Sequence, residues 1–161
     1  MINFQDLYES YSAEVYRFAL WLAGNISEAE DITSETFIRA WAHHTKIRTE
    51  TLKAYLLTIS RNIYLQHQRK KRRQVVLEDV HTDPAPGPEK LTESQLQLQN
   101  VQKILQALPE VDRAAFVLRV QHDLAYDEIS RVLKLSITAT KVKVYRVRKK
   151  LIVTFIDKEV Y

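Results

Sequence analysis

The sequence predicts an all-α protein built as two small helical domains joined by a flexible acidic, proline-rich linker, and three observations predict it. Apolar residues recur three or four positions apart along most of the 161 residues, the period of a helix with one buried side. Of only four prolines and two glycines, three prolines and one glycine fall in a single run, TDPAPGP at 82–88, which no helix can cross. Residues 1–77 hold 11 basic and 8 acidic side chains, 78–100 hold one and five, and 101–161 hold 12 and seven. Two basic-leaning blocks therefore flank an acidic connector. The expected division is 1–77, a linker at 78–95, and a four-helix domain with a helix-turn-helix at 96–161. A chain of this length, 45% apolar, leaves each small core marginal.

In the first block, Phe4, Leu7, Tyr8, Tyr11, Val15, Phe18, Ala19 and Leu22 form one stripe that stops at Gly24-Asn25. Ser27 followed by Glu30 reads as a capping box, opening a second helix through Trp41. Its expected buried row is Thr33, Phe37, Ala40 and Trp41, with Asp31, Glu35 and Ile38 on another face. Beyond a polar stretch, Leu52, Leu56, Ile59 and Ile63 define a third helix running into Arg69-Lys70-Lys71-Arg72-Arg73.

The second block opens with a helix carrying Leu98, Val101, Ile104, Leu105 and Leu108. Pro109 is expected as the first residue of the next helix, where its missing N–H has no partner to lose. Phe116, Val117 and Val120 supply that helix's core row. Tyr126, Ile129, Val132 and Leu133 mark a short helix. After the break Lys134-Leu135-Ser136, a long helix follows with Ser136 as its N-cap and Val144, Val147, Leu151 and Phe155 as its apolar row. Between Arg131 and Lys150 there are eight basic residues and no acidic one. A tight pair of helices, the second basic, is the arrangement that sets a helix in a duplex major groove. Nucleic acid is the partner this chemistry selects.

Other classes are disfavoured. With no cysteine, disulfides, thiolate catalysis and cysteine-ligated zinc are excluded. Asp31 and Glu35 lie one turn apart without a histidine at ligand spacing, and acidic residues near a helix start suit the dipole. No nucleophile with an adjacent base and no phosphate loop appears, so no enzyme, metal or cofactor is expected. Asp6, Glu9, Glu14 and Arg17 interrupt the first 20 residues, unlike a signal peptide or a membrane span. The expectation is a cytoplasmic protein with no membrane insertion of its own.

At this level the chain resembles the small bacterial RNA polymerase sigma factors of the extracytoplasmic-function group. The likeness rests on VYRFALWLAGN (15–25), AEDITSETFIRAW (29–41), LKAYLLTISRNIYLQHQRKKRR (52–73), LPEVDRAAFVLR (108–119), LAYDEISRVLKLS (124–136) and KVKVYRVRKKL (141–151), in family order. The resemblance implies a promoter-recognition subunit working with core RNA polymerase, promoter DNA and an anti-sigma factor. Asp31, Glu35, Phe37, Arg39 and Trp41 would dock on the clamp helices of the polymerase's largest subunit, and the second domain would meet its flap. Arg48, Lys53, Tyr55, Arg61, Asn62, Arg69, Lys70, Arg72 and Arg73 would hold the opened strand of the -10 element. Arg119, Ser136, Thr138, Ala139, Lys141, Lys143, Arg146, Lys149 and Lys150 would contact the -35 duplex. The alternative reading is a stand-alone helix-turn-helix regulator.

Several positions depart from the family's pattern. Gln66 stands for a usual aspartate, Ala139 for threonine and Thr140 for a buried valine. Lys134 replaces a turn glycine, which implies modest strain if the backbone is left-handed. Ala125 replaces a serine cap, at a cost of roughly 0.5–2 kcal/mol.

Overall fold

The computed structural model describes residues 3–43, 52–75 and 91–159. Seven helices are formed among them: α1 Phe4–Ala23, α2 Ile26–Ala42, α3 Leu52–Val75, α4 Glu93–Gln106, α5 Glu110–Val120, α6 Tyr126–Leu133 and α7 Ile137–Glu159. The TDPAPGP run and Arg48 lie outside the described residues, as do most of the polar stretch before α3 and the side chain of Phe155. Helix α4 begins at Glu93 with a Thr92/Gln95 capping box, inside the stretch read from sequence as linker.

The first three helices pack as one bundle. Leu7, Val15, Phe18, Ala19 and Leu22 of α1 are buried, as are Thr33, Phe37 and Ala40 of α2 and Leu52, Leu56 and Ile63 of α3. Between α2 and α3 the buried hydroxyl oxygens of Thr36 and Ser60 lie 3.0 Å apart. Each also satisfies its own helix, Thr36 donating to Ile32 and Ser60 to Leu56.

Two local expectations are corrected here. Gly24, at φ +68°, ends α1 with its N–H on the Leu20 carbonyl, and the next residue already caps α2: Asn25 accepts from the Glu28 N–H at 2.9 Å. The cap is therefore Asn25 and not Ser27, because a left-handed glycine turns the chain within one residue. Trp41, placed in the buried row, is 36% exposed. It lies at the end of α2, edge-on to Phe4 of α1 at 5.6 Å.

In the second block α5, α6 and α7 pack together and α4 lies along α5. Pro109 is the cap residue just before α5, with its carbonyl accepting from the Arg113 N–H at 3.1 Å. The expected core row of α5 is partly corrected. Val117 is buried, but Phe116 is only half-buried and Val120 is 42% exposed, while Ala114, Ala115 and Leu118 are interior. Helix α5 is buried on two sides, against α7 and against α1, so a single stripe understates its core.

The two blocks pack on each other, α1 against α5 and α3 against α6. Their buried apolar side chains form one cluster from Leu7 to Val147. No helix among the described residues is long and apolar enough to cross a membrane.

Candidate nucleic-acid and polymerase interfaces

The acidic face of α2 is braced by α3. Asp31 is exposed and Glu35 half-buried. Arg39 donates to Glu35 at 2.6 Å, one turn away, and to the Gln66 side-chain oxygen at 3.0 Å. The glutamine standing at the usual aspartate position thus anchors an arginine. His67 Nε2 lies 3.3 Å from Glu35, and Lys71 donates to the nearly buried Glu28 at 2.6 Å. Phe37, read as part of this surface, is 1% exposed and meets the Tyr8 ring edge-on at 5.0 Å. It is core and offers a partner nothing.

The basic end of α3 faces solvent. Arg69, Lys70, Arg72 and Arg73 are all exposed, as is Asn62, and Tyr55 is half-buried. Cations in water near a single strand gain by displacing condensed counterions. Lys53 and Arg61 are placed differently. Arg61 is 9% exposed and donates two bonds to Glu110 of α5, at 2.7 and 2.9 Å. Lys53 donates to the His122 backbone oxygen and lies 3.3 Å from Glu14. Both expected strand contacts are held by the chain itself, Arg61 by Glu110 at the start of α5 and Lys53 by the turn after α5 and Glu14 of α1.

The helix-turn-helix has the expected turn. Lys134 is left-handed, φ +57° and ψ +46°, with its N–H on the Ser130 carbonyl, so a lysine occupies backbone that favours glycine. Ser136 accepts from the Ala139 N–H at 3.0 Å and caps α7. Glu128 accepts from the Ala125 N–H at 3.2 Å, but alanine returns no side-chain bond, so half of that capping box is missing. Thr140, at the usual valine position, is fully buried and donates to the Ser136 carbonyl at 2.9 Å.

On the outer face of α7, Thr138, Lys141, Arg146, Arg148, Lys149 and Lys150 are exposed and Ala139 is half-buried. Lys143 is turned inward to Asp112 of α5 at 2.8 Å, which makes it a strut between helices before it is a base contact. Arg119 donates to the Leu124 carbonyl at 3.0 Å and lies over the Tyr126 ring at 4.4 Å. The Lys141 ammonium approaches the same ring at 5.6 Å. Tyr126 thus holds two cations near the start of the basic helix by cation–π attraction.

Other functional neighbours escaped the sequence reading. Arg113, 4% exposed, donates to the Leu105 and Leu108 carbonyls at 3.2 and 3.1 Å and to the Tyr64 hydroxyl at 3.0 Å. Burial pushes the Tyr64 hydroxyl above its ordinary pKa, partly offset by Arg113, so it stays protonated. His122 is 2% exposed, edge-on to Phe18 at 5.5 Å. Burial lowers its pKa to about 4 against the opposing pull of Glu14, with Lys53 and Arg17 lowering it further. Nothing local marks Arg113, whose partner Tyr64 lies 49 positions away, nor Glu110 and Asp112, which lie 49 and 31 positions from Arg61 and Lys143. The reciprocal charges inside LPEVDR are the only signal the sequence carries. Among the described residues no group of three or more His, Cys, Asp or Glu is placed to hold a metal ion.

Comparison with known proteins gives a consistent picture. The family described as sigma-70 region 2 matches residues 7–74, and sigma-70 region 4 matches 98–151. The chain is 31% identical over 156 residues to the ECF RNA polymerase sigma factor SigE of Mycolicibacterium smegmatis, covering 94% of this chain and 61% of that protein. It is 26% identical over 155 residues to the ECF RNA polymerase sigma factor SigM of Bacillus subtilis, covering 93% of each. Among solved structures, the sigma factor RpoE of Bartonella quintana, in complex with the anti-sigma factor NepR, superposes with a TM-score of 0.75 at 27% identity. That match covers 92% of this chain and 93% of the other, so it runs through both blocks at once.

Proposed function

Because the chain belongs to the sigma-70 family, with region 2 and region 4 matched in order over most of its length, we propose that it is a sigma factor of the extracytoplasmic-function type. It confers promoter recognition on core RNA polymerase in the cytoplasm and catalyses no reaction of its own. The observation that carries this reading is the presence of both regions in one chain, each ending in an exposed basic helix surface: Arg69, Lys70, Arg72 and Arg73 on α3, and Lys141, Arg146, Lys149 and Lys150 on α7.

In this reading 1–77 is the region 2 unit and 96–161, with the first turn of α4 added, the region 4 unit. Asp31, Glu35, Arg39 and Trp41 meet the clamp helices of the largest polymerase subunit, while region 4 meets the flap. The end of α3, with Tyr55 and Asn62, receives the opened strand at the -10 element, where a positive surface and ring faces suit unstacked bases. Ser136, Thr138, Ala139, Lys141, Arg146, Lys149 and Lys150 meet the -35 duplex, and Arg119 supports them through Tyr126. Lys143 joins them only on leaving Asp112. An anti-sigma factor regulates the protein by covering these surfaces, as the complex of its structural relative suggests.

The test is transcription by sigma-free core polymerase, with and without this protein, on a pool of fragments from its own genome. Defined new start sites are expected. No binding to core polymerase, together with tight specific binding of a symmetric duplex by a dimer, would replace this reading with a stand-alone regulator.

A further inference from the structure

The outer face of α7 carries apolar side chains that the fold does not use. Val142 is 39% and Tyr145 64% exposed, three residues apart and so neighbours on one face. The helix rests on the domain through Thr140, Val144 and Val147, all buried. At 3.6 residues per turn, Val142 points about 170° away from the mean direction of those three, with Thr138 and Lys149 close to the same line. It is therefore the most outward side chain of the first two turns. Lys141 and Arg146, both exposed, stand on either side of it.

Folding gives no reason for a valine at this place. It adds nothing to the core, and a β-branched residue at an exposed helix position favours the helix less than lysine or alanine does. Binding supplies a reason. No acidic residue lies between Arg131 and Lys150, so this face suits a polyanion, and a duplex major groove is wide enough to admit a helix. Residues in the leading half of such a helix reach the base edges, and Val142 stands six residues after the Ser136 cap.

What a valine can read is narrow. It has no donor or acceptor, so against guanine, adenine or cytosine it would take water from a hydrogen-bonding edge and return nothing. Thymine alone among the four bases presents an apolar group in the major groove, its 5-methyl. A valine in a helix has one strongly favoured rotamer, which holds its own methyl groups in place before binding. Tyr145 is less restricted, because its hydroxyl suits a phosphate or sugar as readily as its ring suits a methyl group.

We propose that Val142 sets promoter specificity by packing on the 5-methyl group of one thymine in the -35 element. This rests on the reading of α7 as the duplex-binding helix and adds the base that it selects. The cations around Val142 supply affinity for any sequence, and the valine supplies a preference.

The full-length protein, alone and bound to sigma-free core polymerase, is used to select duplexes from a pool with randomised positions. Each thymine of the selected element is then replaced in turn by deoxyuridine, which lacks only the methyl group. At one thymine the replacement should weaken binding about fourfold, the worth of burying one methyl group. Val142→Ala should bring that loss below about twofold and leave the effect at every other thymine unchanged. Alanine is the better helix former and the outward cations remain, so affinity for a scrambled duplex should not change.

Circular dichroism establishes that the variant is folded. A selected element without thymine overturns the proposal, as does the absence of any sequence preference, or a methyl effect as large in Val142→Ala as in the wild type. The duplex readout does not need polymerase. A methyl effect that vanishes in Val142→Ala, without any promoter-dependent transcription, would reject the sigma reading and leave Val142 as a thymine reader. Transcription from promoters indifferent to the methyl group would do the reverse.

Discussion

Acidification from about pH 7.5 to about pH 5 should weaken the packing around His122 by about 2 kcal/mol. Between the two blocks the imidazole is held neutral, with its pKa lowered to about 4 from an ordinary 6.5. The groups that face it are Glu14 and Arg17 of α1 and Lys53 of α3. Only Glu14 favours the imidazolium, and its oxygen stands 3.8 Å from Nδ1. The folded value is the depressed one, so between the two pKa values the exposed ring takes up a proton that the buried ring refuses. Stability from this group is complete above the ordinary value and is lost as pH falls toward the folded one. Integrating the difference in bound protons gives about 2 kcal/mol by pH 5, and about 3 kcal/mol once both forms are protonated. The assay is urea unfolding followed by circular dichroism at both pH values, for the wild type and for His122→Leu, which fills similar space and cannot titrate. Other titrating groups act in both proteins, so the wild type should lose about 2 kcal/mol more than the variant. Equal losses would refute the argument.

Gly24→Ala should destabilise the protein by about 1–2 kcal/mol, because φ is +68° there and a Cβ would sit 3.1 Å from the Gln106 side chain that caps α1; thermal unfolding measures it. Lys134→Gly should do the reverse, raising the melting temperature by several degrees for about 1 kcal/mol of relieved left-handed strain, with helix content unchanged by circular dichroism. Replacing Lys70 and Arg73 together by glutamine should leave the fold intact, since both are exposed. It should reduce the slope of log affinity against log salt for a dT strand by about 1.4, the loss of two phosphate contacts. An unchanged slope would remove the end of α3 from the strand-binding surface.

The helices were legible because their determinants are local. The stripe of α1 and the caps at Ser136 and Lys134 sit within a few residues of the structure they specify. The cap of α2 was misread because Asn25 and Ser27 both qualify from the sequence, and only the left-handed turn at Gly24 decides between them. Phe37 was assigned to a surface by likeness to a motif, although its place in the row Thr33, Phe37, Ala40 already put it in the core. The contacts between the two blocks were not legible at all. Glu110 pairs with Arg61 and Arg113 with Tyr64, and each link depends on how two helices cross. In isolation, LPEVDR reads as an ordinary helix start with acidic residues favoured by the dipole.

The basic residues, so prominent in the sequence as charge, divide by position into two energetic classes. Those at the end of α3 and along the outer face of α7 meet water, and binding DNA costs them little desolvation. Arg61 has already been largely desolvated, so a phosphate can bind it only by replacing Glu110, a partner of the same kind. Exchanging one charge-assisted bond for another is close to neutral, and for such a group the ionic attraction that dominates ordinary nucleic-acid affinity is largely cancelled. A phosphate that reached Arg61 would therefore add little to affinity, and the exposed cations at the end of α3 and along α7 would supply most of it.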